Sequence, residues 1–180
     1  QESGQVNWVV GLFLTLFLAV LLVTTIQSER FRAAALYMED ALASSNLASA
    51  LVNLEEYGIS HRILIEDPSE AYKRYQRALK ENLNLNAEWC GAEESVISGP
   101  VTVDNYTVYN VDGEKVWVYR VGADGKRIWE ERLGTATAPN GIRIENTSVY
   151  SEISFDMEAF PGVSVRARKG KLVDVTAKEK

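Results

Sequence analysis

The chain has one cysteine, Cys90, and one histidine, His61. A lone thiol excludes an intrachain disulfide and therefore a disulfide-stapled scaffold. One Cys and one His are too few for a structural zinc site within one chain, and a Ser-His-Asp triad would have to use His61. His61 stands shortly before a helix start and reads as a surface or capping residue. Basic side chains are in the minority, 19 Lys and Arg against 25 Asp and Glu, for a net charge of −6 and a pI near 5.0. That balance argues against a general nucleic-acid binder, so no nucleic-acid partner is expected. Gly-rich phosphate loops, paired metal spacings and nucleophile elbows are missing. No catalytic residue, metal site or cofactor is therefore expected, and the reading is of a protein that is not an enzyme.

What is present is concentrated at the start. Ser3 to Ser28 carries no charged side chain, and Trp8 to Ile26 is nineteen residues whose polar members are Thr15, Thr24 and Thr25. A membrane-crossing helix needs about 20 predominantly apolar residues. A retained signal peptide would be shorter, with a basic lead-in and a small-residue cleavage site. A core helix of a soluble domain would not be apolar on every face. The run is thus expected to be a membrane-inserting helix. Arg30 and Arg32 follow it, which by the positive-inside rule alone would place the remainder in the cytoplasm. Gln1 is not an initiator methionine, however, and a removed leader rich in Lys or Arg would reverse that orientation. The β-rich remainder favours the reversed, extracytoplasmic placement.

No proline or glycine interrupts the sequence from Ser28 to Tyr57, and Ala, Leu, Met and Glu dominate it. These are good helix formers. Phe31, Ala34, Ala35, Met38, Leu42, Ser45, Ser49 and Val52 recur at helical steps. One helix from about Gly4 to Tyr57 is expected, stopped by Gly58, and at 1.5 Å per residue it would be roughly 80 Å long. Between Asp40 and Glu55 there is no charge, and small residues crowd the span. Such a surface packs under the chain's own β domain, and on a second reading also against further copies.

In EDPSEAYKRYQRALKENLNLN, Asp67 is a good N-cap, Pro68 suits the first helical position, and Glu70 lies three residues past the cap. Ala71, Tyr72, Tyr75, Ala78, Leu79 and Leu83 form one apolar stripe, giving a short amphipathic helix over about 68–83. From about residue 95 the pattern alternates. TVYNVDGEKVWVYRV turns around Asp112-Gly113, and VYRVGADGKRIWEERL around Ala123-Asp124-Gly125. Further strands follow, with a last turn expected at Lys169-Gly170. The sum is an antiparallel meander of five to seven strands over about 95–177, with Trp117, Tyr119 and Trp129 as cross-strand partners. Glu130-Glu131 and Asp156/Glu158 read as a solvated face. Residues 166–180 carry a net charge of +4 against −4 in residues 1–58. The basic stretch either guards an edge strand or meets an acidic surface of a neighbouring copy.

The expected fold class is therefore α+β. Residues 1–28 form a hydrophobic helix, 29–58 continue it as a stalk, and 59–180 form an extracytoplasmic globular domain. A processed apolar N-terminal helix that runs on as a stalk beneath a short antiparallel sheet resembles the type IV pilin family. The order of parts is most similar to the TadE-like pseudopilins of Tad-type systems. There a second helix resembles EDPSEAYKRYQRALKENLNL, and a pair of strands around a sequence like AFPGVSVRARKG follows.

The resemblance implies a structural subunit of a cell-surface filament. It would wait in the inner or cytoplasmic membrane and then be buried among copies of itself. A leader peptidase and a pilus assembly machinery are the further partners implied. The assembly interface is expected to comprise Glu2, Gln5, Asn7, Trp8, Gly11, Leu12, Phe13, Leu16, Phe17, Ala19, Val20, Val23 and Thr24. Asn7, Thr15, Thr24 and Thr25 would bond across helices, with Gly11 allowing close approach. One departure is plain, because the family's glutamate five residues into the mature chain is Gln5 here. Either Glu2 replaces it, or neutral hydrogen bonds from Gln5 and Asn7 stand in for a buried charge pair. Cyclisation of Gln1 would remove the terminal amine altogether. The alternative is a membrane-anchored extracytoplasmic accessory protein that never polymerises.

Overall fold

The computed structural model describes residues 2–52, 54–60, 62–92, 95–160 and 162–176. His61 lies outside them. The fold is α+β, with a long apolar helix first, short helices next and a five-stranded antiparallel sheet last, a pilin-like layout. The elements are α1 (Glu2–Ser49), α2 (Leu54–Ser60), α3 (Pro68–Asn82), β1 (Thr102–Asp112), β2 (Lys115–Gly122), β3 (Gly125–Arg132), β4 (Ser148–Phe160) and β5 (Val163–Asp174). The chain divides into two compact units, Gln1–Leu36 and Tyr37–Lys180.

The first helix ends earlier than its composition suggests. It stops at Ser49, and Gly58 lies within α2 rather than terminating α1. The hydroxyls of Ser45 and Ser49 donate to the carbonyls of Ala41 and Asn46 at 2.6 and 2.7 Å. Such local bonds compete with the helical ladder. Ala50 N–H then bonds to Leu47 O, three residues back, and Val52 makes an antiparallel bridge to Ile65. A strand-like bridge to Ile65 takes the chain out of the helix that propensity alone would extend.

α3 forms as its sequence dictates. The Asp67 carboxylate accepts from Ser69 N–H at 2.9 Å and Glu70 N–H at 3.0 Å, and Pro68 opens the helix. Those backbone donors hold the Asp67 carboxyl below its usual range. Ala71, Tyr75 and Leu79 are buried.

The sheet order is β3-β2-β1-β4-β5, every pairing antiparallel. This is not a simple meander, because β4 passes over β3 and β2 to pair with β1. The β1–β2 hairpin pairs Asp112 with Lys115 around Gly113-Glu114. Gly113 has φ 60°, as the first residue of a tight hairpin turn of this twist requires. The β2–β3 turn lies at Ala123-Asp124, between paired Gly122 and Gly125.

The turn expected at Lys169-Gly170 does not exist, since β5 runs through it without a break. Gly170 serves another purpose, because a Cβ there would collide with the Tyr150 ring and hydroxyl. The glycine lets Tyr150 lie across the edge strand. The aromatic trio is also divided. Trp117 pairs with Glu130 and Tyr119 with Ile128, whereas Trp129 opposes Val118 on the other face.

Both sheet faces are covered in part. On one, Tyr109, Val116, Val118 and Tyr150 pack with Ala136, Ala138 and Ile144 of the 133–147 connection. On the other, Tyr106 meets Tyr75 and Tyr72 of α3 at ring separations of 4.9 and 5.2 Å. Burying each such large side chain contributes roughly 1.5–3 kcal/mol.

Candidate assembly surface

The expected interface residues lie on α1. From Trp8 to Ile26 every large apolar side chain is 46–73 % exposed. Leu12, Phe13, Leu16, Phe17, Val20 and Val23 are among them, and Gly11, Ala19 and Thr24 are exposed too. These residues share a helix and an environment, but not one narrow face, because the exposure goes all the way round. The side chains of Glu2, Gln5 and Asn7 lie outside the described part, so the two accounts of the missing glutamate are not distinguished there.

Among the described residues, one helix is long and apolar enough to cross a membrane, with a mean hydropathy of 2.7 over its most apolar window. Its nineteen most apolar residues would rise about 28 Å, close to the hydrocarbon thickness of a bilayer. The helix is compatible with membrane association.

The threonines bond within their own helix. Thr15 donates to Gly11 O at 2.9 Å, Thr24 to Leu21 O at 2.9 Å, and Thr25 to Leu21 O at 2.8 Å. All three hydroxyls are satisfied within their own helix. That disposition suits an apolar solvent, where an unpaired hydroxyl costs several kcal/mol. Gly11 faces open space, and a Cβ added there would touch nothing within 4 Å.

The later part of α1, in the second unit, is held differently. Met38, Ala41, Leu42, Ser45, Asn46 and Ser49 are buried. The Asn46 amide donates to Lys171 O at 2.9 Å and to Val149 O at 3.4 Å. Tyr106 donates its hydroxyl proton to Ser49 Oγ at 2.9 Å, Asn82 Nδ2 donates to Ser45 Oγ at 3.0 Å, and Tyr37 donates to Asn82 O at 2.8 Å. One face of the small-residue stretch thus packs under its own sheet and α3. Ser44, Leu47, Ala48 and Leu51 remain exposed.

A charged clamp accompanies the seam. Glu39 receives Lys171 Nζ at 2.6 Å and Lys169 Nζ at 3.0 Å, both from β5. Hydrogen bonds from Lys171 and Lys169, reinforced by their charges, lower the Glu39 carboxyl from 4.5 to about 2. Sequence reading missed this, because nothing local links residue 39 to residues 169 and 171. The other basic groups of β5 are engaged within the chain as well. Arg166 meets Asp156 at 3.3 Å, and Arg168 meets Asp104 at 3.4 Å and Glu152 at 3.6 Å. These pairs lie along the edge strand β5.

Burial raises Tyr75 and Tyr106, and pushes Tyr109 up to about 12. Among the described residues, no three His, Cys, Asp or Glu side chains are grouped to hold a metal. Asn105 is buried, and its Oδ1 accepts from Thr107 Oγ1 at 2.9 Å. Comparison with protein-family models, curated proteins and solved structures finds no match to the chain.

Proposed function

We propose that the protein is a structural subunit of a type IV pilus-like extracellular filament, similar in outline to the TadE-like pseudopilins, and polymerises through the apolar part of α1. One observation carries this reading. Nineteen consecutive residues of a regular helix are exposed and apolar on all sides, and the hydroxyls among them are satisfied inside the helix. A helix of that kind needs an apolar environment on every side. A bilayer supplies one before assembly, and the same segment of other copies supplies one afterwards. Transfer between the two leaves the backbone hydrogen bonds intact, as an apolar medium requires. On this reading the partners are further copies, the membrane, a leader peptidase and the assembly machinery, and the role is not enzymatic.

The second reading is a non-polymerising, membrane-anchored accessory protein, and the same helix supports it. Negative-stain electron microscopy of material sheared from cells distinguishes the two. Filaments present with the intact chain and lost on deletion of residues 1–28 are expected, with the truncated protein folded and monomeric by circular dichroism and light scattering. Membrane-bound protein with no filaments would favour the anchor instead.

A further inference from the structure

Among the described residues, two other than glycine have positive φ, Asn84 at 50° and Trp89 at 65°. Asparagine tolerates that conformation, but a bulky side chain there is strained. Trp89 closes a tight turn. Its N–H donates to Asn86 O at 3.1 Å, and Asn86 N–H donates to Cys90 O at 2.9 Å. Turns of this kind usually place glycine at the left-handed position. The surroundings hold the tryptophan there. Asn86 Oδ1 accepts from Glu88 N–H at 2.9 Å and from Cys90 N–H at 3.0 Å, and Val101 N–H donates to Trp89 O at 2.9 Å. Lys80 Nζ donates to Ala87 O at 3.2 Å and stands 4.7 Å from the centre of the Trp89 ring. The loop thus fixes a half-exposed tryptophan that is not part of the buried core.

Trp89 lines an open cavity of about 320 Å³. Tyr72 and Gln76 of α3, Glu88, Pro100 and Thr102 line it as well. The volume is at the small end of the roughly 300–1,000 Å³ of ligand pockets. Two aromatic rings and a proline give the cavity an apolar wall. The Gln76 amide and the Glu88 carboxylate have no hydrogen-bond partner among the described residues. Thr102 Oγ1 accepts from Arg166 at 3.3 Å and keeps its own proton to donate. The charges around the cavity are mixed. Glu88 is acidic, Lys80 is basic, and Arg166 is paired with Asp156 at 3.3 Å. That mixture selects an ion of neither sign.

We infer that the cavity binds a neutral saccharide, with the C–H face of a pyranose ring on the aromatic wall and its hydroxyls on Gln76, Glu88 and Thr102. A sugar ring is apolar on its faces and carries hydroxyls around its edge, each both donor and acceptor. Aromatic rings beside an amide, a carboxylate and a hydroxyl match that division. The positive φ of Trp89 then holds the ring in place before the sugar arrives, which reduces the ordering that binding requires. The inference goes beyond the filament reading and holds equally for dispersed protein.

Saturation-transfer NMR, which observes the sugar's own protons, tests it. The intact chain is dispersed in an amine-oxide detergent, which has no sugar headgroup. Glucose, galactose, mannose, N-acetylglucosamine and their disaccharides are titrated to roughly 10 mM, well above a millimolar Kd. Saturable transfer to at least one of them is expected. Trp89→Gly removes the ring and accepts the left-handed backbone, so transfer should vanish while the unfolding midpoint stays close to the parent's. Gln76→Ala should weaken binding about fivefold, the effect of losing one neutral hydrogen bond. No saturable transfer to any sugar would overturn the inference. Undiminished affinity in Trp89→Gly would do so too, as would a response to a proline-rich peptide alone, the other ligand of aromatic grooves. If Trp89→Gly does not fold, Gln76→Ala decides, and an affinity equal to the parent's refutes the site.

Discussion

Two stretches of α1 lack charge, and they have opposite fates. Trp8 to Ile26 is bulky, apolar and exposed on all sides, with its few hydroxyls bonded to its own carbonyls. Residues 41–49 are mostly Ala and Ser, with Leu42 and Leu47, and one face is bonded to β1, β4, β5 and α3 by Ser45, Asn46 and Ser49. Absence of charge therefore has two meanings in one helix. In the first stretch it marks a surface with no partner in the second unit's style of polar bonding. In the second it marks a surface whose polar groups bond within the chain, save the Asn46 Oδ1, which is buried without a partner. Side-chain size separates them: Leu, Phe and Val need an apolar surrounding, whereas Ser and Ala let a sheet come close enough for an amide to reach a strand carbonyl.

The largest effect that sharpens this contrast is a charge in the first stretch. Leu16→Lys costs about 2.5–3.5 kcal/mol per copy at a helix centre on insertion scales. Filaments should disappear under the microscope while the thermal unfolding of the globular unit is unchanged. Normal filaments would place the segment outside any apolar core. Next comes the opposite experiment, Leu42→Ala. Truncating a fully buried leucine costs about 2–5 kcal/mol, so the unfolding midpoint should fall by several degrees, and assembly should suffer only as far as the fold does.

The contrast between what was legible and what was not follows the same line. The apolar run, the Asp67-Pro68 helix start and the two hairpins are written locally, and composition or spacing reveals them. The helix stop at Ser49 is not, because it depends on Val52 bridging to Ile65. Gly170 reads as a turn residue until Tyr150 is seen lying on it. The carboxylates that meet the basic groups of β5 were not legible either, because Glu39 and Asp104 come from α1 and β1, far along the chain, and join Glu152 and Asp156 of neighbouring β4 only in the fold. Within the apolar segment, the bonds of Thr15, Thr24 and Thr25 to their own helix were not read from the sequence, because a hydroxyl's choice of carbonyl depends on its rotamer.

A third experiment acts on the clamp. Glu39 titrates at about 2 in the folded protein against an ordinary value of 4.5. A lowered carboxyl stabilises the fold above its unfolded value, and the contribution is lost as pH falls from about 4.5 towards 2. Unfolding midpoints measured across that window should decline, and the decline should be shallower in Glu39→Gln. Identical slopes would show that the lysines do not favour the ionised carboxyl. The smallest effect is expected from Thr24→Val. Its hydroxyl bonds only to its own helix, so filament yield and stability should stay within about 0.5 kcal/mol equivalents of the parent, as for substitutions that break no outside contact. A sharp loss of filaments would mean that the hydroxyl has a partner on another copy.

The tie between Glu39 and Lys171 spans 132 positions of sequence. Its consequence is one of timing. β5 is made after every other element of its unit, and the buried side of residues 38–49 has no β5 to bond until then. A nascent chain therefore carries a helix whose docking site is incomplete, and closure must bring together segments far apart along the chain. Such long-range closure slows folding relative to a domain built of neighbours.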